Sequence, residues 1–157
     1  MPEIYYQLMT ITGYQEIESQ ITKLKSQRPT LVARLKAARA LGDLSENTEY
    51  STAKRDLRHI DSRLRFLNKQ LKYAKVIEPT DSKLVEIGTK VVLEDLSDQE
   101  EMIYQVVGRQ EADVNQGKIS YESPLGSAIL HQSVGKIVTV TAPEFTYQVR
   151  IIKIELV

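Results

Sequence analysis

Two apolar patterns mirror each other about a short acidic stretch, and that mirror constrains the fold more than any other feature of the chain. Upstream, Ile17, Ile21, Leu24, Arg28, Leu31, Leu35 and Ala38 recur at alternating steps of four and three. Downstream, Ala53, Leu57, Ile60, Leu64, Leu67, Leu71 and Ala74 do the same. This is the a/d spacing of a coiled coil, held for about three heptads on each side. Paired from the inside out, from Ala38 with Ala53 to Ile17 with Ala74, the residue numbers sum to 91 or 92 at every rung. A constant sum is the condition for an antiparallel helical hairpin, and its midpoint falls between Ser45 and Glu46. The stretch Ala38-Arg39-Ala40-Leu41-Gly42-Asp43-Leu44-Ser45-Glu46-Asn47-Thr48-Glu49-Tyr50 is therefore the tip. At about 1.5 Å per residue, the arm from Ile17 to that tip spans roughly 40 Å.

The rest of the chain reads differently. The second helical pattern runs from about Asn47 to Val76, and Glu78-Pro79-Thr80-Asp81-Ser82 is a linker signal. From Leu84 onward the apolar period falls to two. Val91–Glu94, Met102–Val107, Lys118–Tyr121, Ile137–Val140 and Tyr147–Ile152 are rich in β-formers and separated by turn residues. A short helix from Pro124 to Gln132 interrupts them, with Ser123 as its cap and Pro124 at its first position. The expected class is α+β: a coiled-coil hairpin domain over 1–78 with its acidic tip at 42–49, a linker at 79–83, and a small antiparallel sheet with one helix over 84–157. Thr12 is the expected cap of the first helix, Pro29 is expected to kink it, and the seam residue Arg28 is expected to lie opposite Leu64 with its head snorkelling out.

Charge divides along the same line. Residues 1–78 carry 14 Lys and Arg against 9 Asp and Glu, a net of +5, and residues 79–157 carry 7 against 12, a net of −5. A basic arm on an acidic body differs from a uniformly nucleic-acid-binding surface. The absence of cysteine excludes disulfides and thiolate chemistry, and two histidines, His59 and His131, give no His-ligated metal set. No apolar run approaches the ~20 residues that span a bilayer, and Met1-Pro2-Glu3-Ile4 carries no basic leader. A soluble, cytoplasmic protein with no membrane partner is the expectation.

The chemistry of the tip has two readings on its residues alone. Mg²⁺ is a hard cation commonly held by one or two carboxylates, with water or substrate phosphate completing its shell. Asp43 and Glu46, at a hairpin turn, are too open to cage an ion but suit a site that a partner half builds. The simpler reading is that Asp43 caps the second helix, that Glu46 and Glu49 favour its positive end, and that Gly42 serves the turn. Arg34, Lys36, Arg39, Lys54, Arg55 and Arg58 flank the tip, as a path for an anion or as a solvated coiled-coil face.

The tip sequence Ala38–Tyr50, followed by Thr52-Ala53-Lys54, closely resembles the tip motif of the bacterial transcript cleavage factors GreA and GreB. Gly88-Thr89-Lys90-Val91, Tyr104-Gln105-Val106-Val107-Gly108 and Ser123-Pro124-Leu125-Gly126-Ser127-Ala128-Ile129-Leu130 resemble the same family's C-terminal domain, and Thr10 fits a segment before its first helix. Chain length and the modest basic arm lean towards the GreA branch. The resemblance implies an antiparallel coiled coil joined to an FKBP-like domain, in a monomeric transcription elongation factor. Such a protein binds bacterial RNA polymerase, enters its secondary channel and stimulates the polymerase's own cleavage of backtracked RNA; DNA binding goes with the family as well. It is not itself an enzyme. The resemblance also implies that Asp43 and Glu46 share a Mg²⁺ with the polymerase and position the hydrolytic water. Lys54, Arg55 and Arg58 would then face the nascent RNA 3′ end, with Gly42, Asn47, Glu49 and Tyr50 supporting the tip. Thr48, Arg55 and His131-Gln132-Ser133-Val134-Gly135-Lys136 depart from the family pattern. A channel inhibitor that occupies the same site without cleavage is the alternative. A prolyl isomerase lacks the aromatic residues for its pocket, with no Trp and two Phe in the chain, and a chaperone would want an apolar tip.

Overall fold

The structure is a computed structural model, and the residues it describes are 6–42 and 46–157. Packing divides the chain into two compact units: Gln15–Tyr73, and the residues up to Tyr14 together with Ala74–Val157.

The first unit is the hairpin. Helix α1 spans Ile11–Ala40 and α2 spans Thr48–Lys72. Burial follows the heptads closely. Ile17, Ile21, Ala38, Ala53, Ile60 and Leu67 are buried, and Leu24, Leu31, Leu35, Leu57, Leu64 and Leu71 are half-buried. The one seam position that stays exposed is Arg28. Its guanidinium reaches across to Asp61, Nε to Oδ1 at 2.8 Å, and the hydrogen bond holds the Asp61 carboxyl below its ordinary value. A second cross-hairpin pair, Arg34 with Asp56 at 3.9 Å, lies nearer the turn. Both pairs keep the antiparallel order. Helix α1 runs uninterrupted through Pro29, and α2 stops four residues short of Val76, at a C-cap on Tyr73.

The second unit is built on a five-stranded sheet. Its strands are β3 (Lys90–Asp95), β4 (Glu101–Val107), β5 (Lys118–Ser120), β6 (Ile137–Thr141) and β7 (Thr146–Glu155), in the order β5-β4-β3-β7-β6. The ladders are antiparallel except at the β5 edge, which pairs parallel to β4, so the sheet is mixed rather than wholly antiparallel. Val91, Leu93, Val106, Val140, Val149 and Ile151 alternate inward, as period two requires. The register slips between Val92 and Leu93, so that Leu93 faces Ile151 while Val92 faces Lys153. One extra residue in β7 thus lets Ile151 and Ile154, three apart, both enter the core. Helix α3 (Pro124–Ile129) covers this core with Ile129 and ends three residues before Gln132. As expected, Ser123 caps it, accepting from the Gly126 amide at 3.0 Å.

Two three-residue strands went unread in the sequence. β1 (Gln7–Met9) and β2 (Ala74–Val76) pair in parallel and bring the start of α1 and the segment after α2 into the sheet unit. Met9 is fully buried there, and the Ile77 amide donates to its carbonyl. The cap of α1 is Thr10 rather than Thr12: its Oγ1 accepts from the Gly13 amide at 3.1 Å. The Glu111 carboxylate, in a short 3-10 turn over Arg109–Glu111, then accepts from both the amide and the hydroxyl of Thr10.

Candidate functional site

The end of the hairpin is assembled from the last turn of α1 and the first turn of α2. At the close of α1 the ladder tightens: the Leu41 amide donates to the Ala38 carbonyl at 3.2 Å and the Gly42 amide to the Arg39 carbonyl at 3.3 Å. Gly42 then takes φ +87, the left-handed region that terminates helices, with no atom of the described residues within 4 Å of where a Cβ would stand. Backbone conformation, and not crowding, is what calls for glycine here. Asp43 lies outside the described residues, with Leu44 and Ser45.

The chain re-enters at Glu46, which is exposed. Asn47 follows at φ −82, ψ 98 and is the cap of α2: its Oδ1 accepts from the Tyr50 amide at 3.0 Å. The capping role that sequence chemistry offered to Asp43 therefore belongs to Asn47. The other end of the same amide, Nδ2, donates to the Ala38 carbonyl across the hairpin at 2.7 Å. Glu49 sits in the first turn of α2, where a carboxylate complements the helix dipole.

The basic flank is organised around one ring. Tyr50 is half-buried, and the Arg39 guanidinium carbon and the Lys54 Nζ each lie 5.8 Å from its centroid. At that separation the ring face attracts both cations. The i, i+4 spacing of Tyr50 and Lys54 is a readable signal for half of this arrangement; Arg39 comes from the other helix, and only the fold brings it in. Arg55 and Arg58 are exposed, and Arg55 Nε stands 3.8 Å from Asp56. His59 is exposed on the surface.

Beside the tip the seam narrows to alanine. Ala38 and Ala53 leave a groove of about 490 Å³ between the helices, flanked by Arg34 and Glu49. Among the described residues no cluster of three or more acidic or histidine side chains forms a metal site. What the tip offers a cation is open carboxylate oxygen, which suits Mg²⁺ only if other ligands come from elsewhere.

A two-helix hairpin whose turn carries an exposed Glu46, followed by a small mixed-sheet unit, defines an α+β protein of two units. Residues 7–76 match the family model described as "Transcription elongation factor, N-terminal", and residues 79–156 match "Transcription elongation factor, GreA/GreB, C-term". The chain belongs to the GreA/GreB family of transcription elongation factors. It is 50% identical over 147 residues to transcription elongation factor GreA 1 of Lactiplantibacillus plantarum, covering 94% of each chain. It is 39% identical to GreA of Thermosipho melanesiensis, covering 97% of this chain and 98% of that one. Among solved structures, the GreA factor homolog 1 of Thermus thermophilus aligns over 96% of this chain and 99% of its own at 26% identity, with a TM-score of 0.45. No helix among the described residues is long and apolar enough to cross a membrane.

Proposed function

We propose that this protein binds bacterial RNA polymerase through its sheet unit and inserts the hairpin tip into the secondary channel. There it stimulates the polymerase's own cleavage of backtracked nascent RNA. The observation that carries the proposal is the tip itself. A family member's paired helices end in a turn whose Glu46 carboxylate is exposed, with no ion pair among the described residues. A carboxylate left in water at the end of an arm is free to enter another protein's coordination shell.

In this reading Asp43 and Glu46 are the functional acids. They would share a Mg²⁺ with the polymerase and hold the hydrolytic water in place. The ion, when bound, lowers the pKa of its water and offsets charge on the leaving oxygen. Lys54, Arg55 and Arg58 offer positive charge to the RNA 3′ end. Gly42 sets the turn, Glu49 favours the start of α2, and Tyr50 keeps Arg39 and Lys54 beside the site. The protein acts as a monomer in the cytoplasm and contributes side chains, not a complete active site.

The test is cleavage of 3′-labelled RNA in a backtracked polymerase complex with Mg²⁺. Wild type is compared with Asp43→Asn and Glu46→Gln, with the binding of each measured by competition. Short 3′ fragments from wild type, lost in both variants at equal binding, are the expected result. Binding by wild type with no cleavage above polymerase alone would overturn the proposal in favour of a channel inhibitor.

A further inference from the structure

We infer that Asn47 is a positioning residue for the tip acid Glu46. One carboxamide ties the last turn of α1 to the first turn of α2, and Glu46 is the residue directly before it. The inference rests on the cleavage reading for its functional consequence and on geometry for its structural one.

The geometry is specific to asparagine. Helix α2 needs an acceptor at its N-cap, and Oδ1 provides it to the Tyr50 amide at 3.0 Å. Helix α1 ends with carbonyls that lack intrahelical donors, and Nδ2 supplies one to Ala38 at 2.7 Å. The Ala38 carbonyl also accepts from Leu41, so its two lone pairs are both engaged. Ala38 is buried and Asn47 half-buried, so water does not freely replace the bond. Aspartate keeps the cap but presents a second acceptor to the carbonyl. Serine keeps the cap and is too short to bridge. Both are good N-caps on α2 considered alone, which separates bridging from capping.

The position of the bridge gives it leverage. It joins the helix end at Ala38 to the residue that follows Glu46. The capped amide belongs to Tyr50, whose ring faces Arg39 and Lys54. A slip of one helix end against the other therefore moves Glu46 and the flanking cations together.

Two arms test this on the full chain. The first compares wild type, Asn47→Asp and Asn47→Ser in the backtracked-complex assay at saturating factor. Cleavage should fall by about ten- to a hundredfold, the scale of a misplacement near 1 Å, while competition binding stays near wild type at a temperature well below the melting of every variant. The second needs no polymerase. The chain has no cysteine, so spin labels at Lys36→Cys and Ser51→Cys report the helix-end separation, and Asn47→Asp should broaden its distribution. Wild-type cleavage in both variants, or an unchanged distance distribution, overturns the inference. If wild type itself gives no cleavage, the cleavage reading falls, and the distance arm alone decides the bridge.

Discussion

The two helices begin at similar caps with a carboxylate nearby, yet the two carboxylates stand in opposite surroundings. At the root of α1, the Glu111 carboxylate is consumed. It accepts from the Thr10 amide at 3.0 Å, the Gly108 amide at 3.1 Å and the Thr10 hydroxyl. Glycine makes room for it: a Cβ on Gly13 would overlap the Glu111 side chain, and one on Gly108 would overlap the Leu8 carbonyl. At the tip the reverse holds. Glu46 is exposed, and among the described residues nothing lies within 4 Å of the place where a Cβ on Gly42 would stand. A carboxylate with three donors has little left to offer an ion, whereas one in open water keeps its lone pairs for a partner's metal. The contrast separates an acid engaged by the fold from one left to solvent.

Glycine substitution breaks the comparison most sharply. Gly108→Ala drives a methyl into backbone that cannot step aside, and should cost about 3 kcal/mol, at the upper end of overpacking. Gly42→Ala meets only its left-handed φ and should cost about 1 kcal/mol. Denaturant melts of the two variants check the order. A smaller gain is expected at the far end of α3. His131, one of the positions that depart from the family pattern, holds φ +65 directly after Leu130, the C-cap of the helix. Its ring lies 3.2 Å from Glu86 but is mostly exposed, so that pair contributes little. His131→Gly should stabilise by about 0.5 kcal/mol, left-handed strain being relieved against added chain entropy.

The smallest effect belongs to the cross-hairpin pair. The Arg28 hydrogen bond holds the Asp61 carboxyl below its ordinary 3.8. Its contribution is therefore present above that value and disappears as pH falls through the lower folded one. Asp61→Asn should lower the melting temperature at neutral pH by about 1–2 °C, and the difference should shrink as pH falls below the ordinary carboxylate value towards the lower folded one. Thermal scans across that pH range read the difference.

How much of this was legible depended on how far each determinant lay from the residues it acts on. The seam was readable because heptad spacing is one-dimensional: every rung from Ile21 to Leu71 is buried or half-buried except Arg28. The five strands of the large sheet declared themselves by alternation. Strands β1 and β2 did not, since each is three residues long and its partner lies more than sixty positions away. The cap of α1 was placed on Thr12, two residues late, because the group that makes Thr10 the better cap is Glu111, 101 residues on. At the tip, the i, i+4 spacing of Tyr50 and Lys54 was readable, but the double role of Asn47 depended on the Ala38 carbonyl, a backbone atom with no signature in the sequence.

One paired measurement bears most directly on the contrast between the two carboxylates. Glu46→Gln and Glu111→Gln are compared for melting temperature and for cleavage in a backtracked polymerase complex, at a temperature where both are folded. Glu46→Gln should melt like wild type and lose about a hundredfold or more in cleavage, the scale of removing one group that stabilises developing charge. Glu111→Gln should lose about 1–3 kcal/mol of stability as its charged acceptor goes, and retain cleavage at saturating factor. Equal loss of cleavage in both, or full cleavage by Glu46→Gln, would contradict the assignment of the tip acid to function and the root acid to structure.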